Sequence, residues 1–226
     1  MNNRAVINSA PMSDAVEEET TEVAESPHDE LSAEEREQRA AALSQVRTFG
    51  DPVLRSRASD VTDFGPELAE DAERMVAIMR GAMGVGLAAT QLGTLRRLLV
   101  FQAAADARAT AVANPVVEWL SDDLATAEEG CLSLPGIGVD VERPLHARVS
   151  GLDVEGNPLL LEASGLEARV LQHEIDHLDG VLILDRTERE QRTAALRALR
   201  EGGSYSPSAE EEIGEEGELR EPRTDA

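Results

Sequence analysis

The sequence predicts an α+β domain, with antiparallel or mixed β-sheets packed around a central metal-binding helix that carries an HExxH motif, and a further helix at the C-terminal end. Three observations carry that expectation. Apolar residues recur at helical spacing from residue 66 to about 83. Shorter apolar runs bounded by turn residues fill the middle of the chain. A strongly helical stretch at 165–179 follows them.

The first helix is signalled by Pro66, which suits an opening helical position because its missing N–H is not needed there. Leu68, Ala72, Met75, Val76 and Met79 then recur on one face. A glycine-punctuated stretch at 84–93 comes next. The segments 96–101 (RRLLVF) and 111–118 read as strands. Two or three more strands are expected within 138–163, with a turn at Glu155-Gly156-Asn157-Pro158. Gly180 is well placed to end the second helix, and a last helix is expected at about 187–200.

Charge divides the chain into three parts. Of the net charge of −24, residues 1–42 carry 11 acidic against 3 basic side chains, and residues 201–226 carry 9 against 2. Both ends are low in complexity and bury too little apolar surface to offset ordering entropy. They are expected to be disordered acidic extensions, although 32–46 (SAEEREQRAAALSQV) has the composition of a helix. That leaves 43–200 as the functional domain, a size that one core supports. Hydrophobic residues make up 41% of the chain and aromatics only 2%, so aliphatic side chains must fill the core. The acidic balance argues against non-specific binding to DNA or to anionic membranes. Neither is expected as a partner. Cys131 is the only cysteine, which suits a reducing compartment. With no apolar run near the roughly 18 residues that span a bilayer and no signal-peptide pattern, the expected location is cytoplasmic.

Three motifs carry chemistry. In Gln172-His173-Glu174-Ile175-Asp176-His177, the two histidines stand four apart, one turn along one helix face. They can direct two imidazoles at one metal ion, with Glu174 beside them as a general base. Two histidines do not complete a site, and no histidine lies downstream of His177. Acidic residues downstream sit mostly in charged helix or tail. Upstream, Glu128-Glu129-Gly130-Cys131-Leu132-Ser133 offers the only thiol, which is either a ligand suited to zinc or iron(II) or a small buried hydrophobe. The third motif is Gly84-Val85-Gly86-Leu87-Ala88-Ala89-Thr90-Gln91. Its glycines allow close backbone approach to a ligand. The Gln91 amide is either a donor to a developing oxyanion or a surface group beside a packing turn.

Taken in order, GxGLAAxQ, EGCLS and QHExDH resemble the signatures of the peptide deformylase family. The resemblance spans about 43–200. It implies a metal-dependent hydrolase that removes the formyl group from the N-terminal methionine of newly made proteins and releases formate. It implies metal ligands at Cys131, His173 and His177, with one divalent ion, iron(II) first and zinc, nickel or cobalt as alternatives. The general base maps onto Glu174, and the oxyanion donors map onto the Gln91 side chain and the Leu132 N–H. A methionine pocket beside the metal would use Val85 and Val170, and the Gly86 backbone would pair with the extended formyl-Met peptide.

Two departures stand out. Some members carry an Arg shortly after EGCLS that holds the peptide. Here Pro135-Gly136-Ile137-Gly138 has none, and Arg143 comes later. Some members also dock on the ribosome through a basic C-terminal helix. A transient ribosome contact is therefore among the expected partnerships, and the arginines at 186, 189, 192, 197 and 200 favour it while the acidic tail opposes it. The competing readings are a metallopeptidase of the HExxH kind, which takes a third ligand from downstream, and an inactive metal-binding relative.

Overall fold

A computed structural model describes residues 31–104 and 107–208. The expectations for 1–30 and 209–226 lie outside the described residues. Helix α1 (Ala33–Leu43) comes first. Its N-terminus is closed by a reciprocal cap. The Ser32 hydroxyl accepts the Glu35 N–H at 3.2 Å, and the Glu35 carboxylate accepts the Ser32 N–H at 2.9 Å. Ala42 and Val46 are buried against α2 (Pro66–Gly81). The helices approach closely, since a methyl at Gly81 would stand 3.1 Å from the Ala42 side chain. The helical composition noted at 32–46 is thus realised over 33–43, inside the segment otherwise expected to be disordered. The apolar end of this acidic segment had a partner in α2.

Among the described residues, seven strands form two sheets. The larger has the order β1-β2-β3-β6-β7, from β1 (Gly86–Ala88), β2 (Leu98–Phe101), β3 (Thr110–Leu120), β6 (His146–Leu152) and β7 (Pro158–Ser164). The smaller is the pair β4 (Leu124–Cys131) and β5 (Leu134–Pro144). Every ladder between these strands is antiparallel. The uninterrupted apolar run in β2 has a two-sided cause. Leu98 and Val100 pack into the core under α2, while Leu99 and Phe101 pack into a second core under α3 (Leu166–Leu178). Burying these four side chains contributes about 1.5–3 kcal/mol each before entropy is charged.

A third core joins β5 to α4 (Arg189–Glu201), with Leu134, Ile137, Val139 and Val141 against Ile183, Leu184 and Ala195. Gly202 (φ 70°) ends α4, and the chain then doubles back. Tyr205 lies parallel to Ile137, donating its N–H to Gly136 at 2.9 Å and accepting the Gly138 N–H at 2.7 Å. The hydroxyls of Ser206 and Ser208 donate to Glu128 of β4 at 2.9 and 2.7 Å. Residues up to 208, expected to begin a disordered tail, thus add a short edge to the smaller sheet.

Candidate metal centre

Helix α3 and strand β4 meet at the site. Helix α3 runs beneath the larger sheet and buries Ala168, Val170, Leu171, Ile175 and Leu178 in its core. His173 and His177 stand one turn apart along it, and Glu174 between them faces Gly86 of β1. The histidine Nε2 atoms stand 3.2 Å apart. Cys131 ends β4, where the β4–β5 register shifts between Gly130 and Cys131. A break of this kind re-aims a side chain, and the thiol sulfur sits 3.2 Å from His177 Nε2. All three ligand atoms fall within 4.8 Å of one another.

The donor set fits a cation. Nitrogen and sulfur atoms bound at about 2.1 and 2.3 Å in a tetrahedron lie about 3.4–3.6 Å apart, so the two 3.2 Å separations here need to open by only a few tenths of an ångström to admit a cation. Charge points the same way. Burial opposes a proton on His173, yet hydrogen bonds to Cys131 and Glu129, with Glu174 nearby, raise its pKa well above the ordinary histidine value. The surroundings thus call for positive charge. Burial and the charge on His173 push His177 well below the ordinary value, and His173 must give up its own proton to a cation that takes its place.

A buried ionic lattice holds the first histidine. Glu129 accepts from His173 Nδ1 at 3.0 Å, from Arg143 at 2.6 and 3.0 Å, and from Arg169 at 2.7 Å. Asp176 accepts from Arg143 at 2.9 Å and from Arg186 at 2.5 and 3.1 Å. Burial pushes Glu129 up, but His173 and Arg143 outweigh it and hold the carboxyl at about 2. A carboxylate on the outer nitrogen of a ligating histidine fixes its tautomer and ring orientation. Arg143 is 4% exposed and committed to two carboxylates, so it is an internal strut and does not replace the missing peptide-holding Arg.

Glu174 is 3% exposed, and its Oε2 is buried without a hydrogen-bond partner. Burial pushes its pKa up to about 7, against the pull of His173 and Arg143. Across from it, Gly86 opens β1. A side chain there would place Cβ 2.8 Å from the Glu174 carboxyl carbon and nearer still to its Oε1, so the carboxyl keeps its present place only opposite a glycine. Gln91 lies in the 3-10 turn Ala89–Leu92 that follows β1. Its Oε1 accepts the Ala88 N–H at 2.9 Å, while Nε2 faces Ser133 Oγ at 3.3 Å and Cys131 Sγ at 3.7 Å. Thr90 in the same turn donates to the His177 carbonyl at 3.1 Å and ties this loop to α3. Leu132 follows Cys131 between β4 and β5, and its side chain lies over Gly84.

Cys131, His173, His177, Glu174, Gln91, Leu132 and Gly86 are therefore gathered in one place. Val85 and Val170 are not joined in one cluster: Val85 is 44% exposed ahead of β1, and Val170 is packed into the α3 core. Glu129, Arg143, Asp176, Arg169 and Ser133 were missed. Glu129 and Ser133 lie within the EGCLS segment, and Asp176 within QHExDH, so their places beside the ligands were the available signal.

The polypeptide deformylase family model matches residues 43–193. Peptide deformylase 1 of Corynebacterium glutamicum is 47% identical over 161 residues, which cover 70% of this chain and 95% of that protein. Peptide deformylase of Acidothermus cellulolyticus is 45% identical over 160 residues, covering 71% and 87%. Among solved structures, peptide deformylase from Thermus thermophilus is 45% identical with a TM-score of 0.65, covering 69% of this chain and 92% of that one. The Synechococcus elongatus enzyme in complex with actinonin is 40% identical with a TM-score of 0.65, covering 70% and 88%. The match of family model, curated relatives and fold over the same two-thirds of the chain means that this chain belongs to the polypeptide deformylase family, enzymes that remove the N-formyl group from newly made proteins.

Proposed function

We propose that Cys131, His173 and His177 hold one catalytic divalent ion, iron(II) by preference, and that Glu174 is the general base for hydrolysis of the formyl group of formyl-Met nascent chains. The convergence of the three ligand atoms within 4.8 Å carries this reading. Thiolate and imidazole suit iron(II) and also zinc, nickel or cobalt, so supply decides loading. When bound, the ion acts as a Lewis acid and makes water acidic enough to attack near neutral pH. Glu174 accepts the water's proton as the water oxygen bonds to the formyl carbon. Charge that develops on the formyl oxygen meets the Gln91 Nε2–H and the Leu132 N–H. Glu174 then gives its proton to the leaving nitrogen as the C–N bond breaks, which yields formate and a free amine.

The Gly86 backbone is placed to pair with the extended substrate, and Val85 with Val170 remains our proposal for the walls beside the methionine side chain. The thiol's position among the histidines favours this reading over a peptidase that draws its third ligand from downstream. We place the protein in the cytoplasm, in keeping with the absence, among the described residues, of any helix long and apolar enough to cross a membrane. On α4, a transient ribosome contact would fall to Arg189, Arg197 and Arg200, because Arg186 and Arg192 pair with Asp176 and Asp185.

The test is formate release from a formyl-Met-Ala peptide by anaerobic, iron(II)- or nickel-loaded protein beside Glu174→Ala. The variant is expected to keep one equivalent of metal and lose turnover by at least about 100-fold, the lower range for a positioned acid–base group. Equal release from both proteins would remove Glu174 from the mechanism.

A further inference from the structure

A primary amide presents an acceptor on one side and two donors on the other, so it serves as an oxyanion donor only if its orientation is held. At Gln91 the acceptor side is fixed by the Ala88 N–H, 2.9 Å from Oε1. That leaves two N–H groups on the other side, and a single anchor does not stop the amide from rocking about its last torsion. The second anchor is Ser133. It is wholly buried, and its Oγ lies 3.3 Å from Gln91 Nε2. The backbone under that hydroxyl is itself tied down, since the Ser133 carbonyl accepts the Phe49 N–H at 2.9 Å.

We infer that Ser133 is a positioning residue for deformylation, whose hydroxyl oxygen engages one Nε2–H of Gln91 and turns the other toward the Cys131–His173–His177 cluster. The 3.7 Å approach of Nε2 to Cys131 Sγ marks that direction. One short segment thus supplies a ligand at Cys131, a backbone donor at Leu132 and the brace for a side-chain donor at Ser133. The inference rests on Gln91 being an oxyanion donor, as proposed above. It differs from a packing role because a space-filling serine would matter equally whether or not Gln91 were present.

A double-mutant cycle on the full, metal-loaded chain separates these roles. Gln91→Ala should lower kcat about 100- to 1,000-fold, the cost of one oxyanion donor. Ser133→Ala should lower kcat about 3- to 10-fold, the equivalent of one hydrogen bond, with KM and bound metal within about twofold of the parent. In the Gln91→Ala background the serine substitution should change kcat by less than about twofold. The Gln91 side-chain amide pair, identified in nitrogen–proton spectra by its disappearance in Gln91→Ala, should shift in Ser133→Ala. Equal losses in both backgrounds, or an unmoved amide pair, would overturn the role of Ser133. A Gln91→Ala protein with undiminished kcat would instead overturn the parent reading. If Ser133→Ala sheds metal or fails to fold, Ser133→Cys keeps the volume with a weaker acceptor and faces the same criteria.

Discussion

Gly86→Ala tests how tightly Glu174, the proposed general base, is held. The new methyl would stand 2.8 Å from the Glu174 carboxyl carbon and 2.9 Å from its Cγ, where ordinary contact begins at 3.4 Å. The Glu174 Oε1 would be closer still, so the carboxyl must withdraw by about 1 Å, or β1 must give way. β1 is paired to β2 from Gly86 to Ala88 and its three residues are buried, so the side chain is the softer partner. A misplacement of about 1 Å at a reacting group costs about 100-fold. The expected loss in kcat is about 10- to 100-fold, with metal content unchanged because Gly86 contributes no ligand. Formate release, metal analysis and thermal unfolding on one preparation separate the terms. Turnover within about twofold of the parent, in a folded and metallated variant, would refute the claim that Gly86 sets the position of Glu174.

Three other outcomes follow from the same geometry. Glu129→Gln leaves Arg143 and Arg169 short of a buried countercharge, and should cost about 3–5 kcal/mol of stability in denaturant unfolding and about 10- to 100-fold in metal affinity. A stability change below about 1 kcal/mol would show that the lattice does not hold the hairpin to α3. Met79 is completely buried in the α2 core, so Met79→Ala should lower stability by about 2–5 kcal/mol while leaving metal binding intact. The third concerns acid. Burial pushes Asp185 up, but hydrogen bonds from Arg55 and the Leu182 N–H outweigh it and set its pKa below the ordinary 3.8. Its stabilisation is therefore fully present above about pH 4 and lost as pH falls through the folded-state value. Asp185→Asn should melt below the parent at neutral pH, with the gap closing below about pH 4; a gap that persists into strong acid would exclude Asp185 as its source.

What the sequence disclosed and what it concealed have physical reasons. The i, i+4 histidines and the apolar stripe of α3 were legible because both periods belong to the helix itself. β2 was legible because a strand buried on both faces has no polar alternation to confuse it. β4 was not legible as a strand. LATAEEGC is small and acidic, and its buried residue is Glu129, which goes inside only because Arg143 and Arg169 meet it. Nothing local distinguishes such a carboxylate from one in water. The helical composition of α1 was legible, but its packing on α2 was not, because the contact is made by the small side chains of Ala42 and Gly81. Tyr205 could not be placed either, because its bonds go to an edge strand some seventy residues away.

The family match stops at residue 193, but the fold continues to Tyr205 and Ser208. The acidic remainder of the chain is thus not hung from the end of α4. The last described residues lie against the hairpin that carries Cys131, stitched there through Glu128 three residues upstream of the thiol. Any pull or docking beyond Ser208 is delivered first to that hairpin, which makes the root of the tail a mechanical neighbour of the catalytic centre.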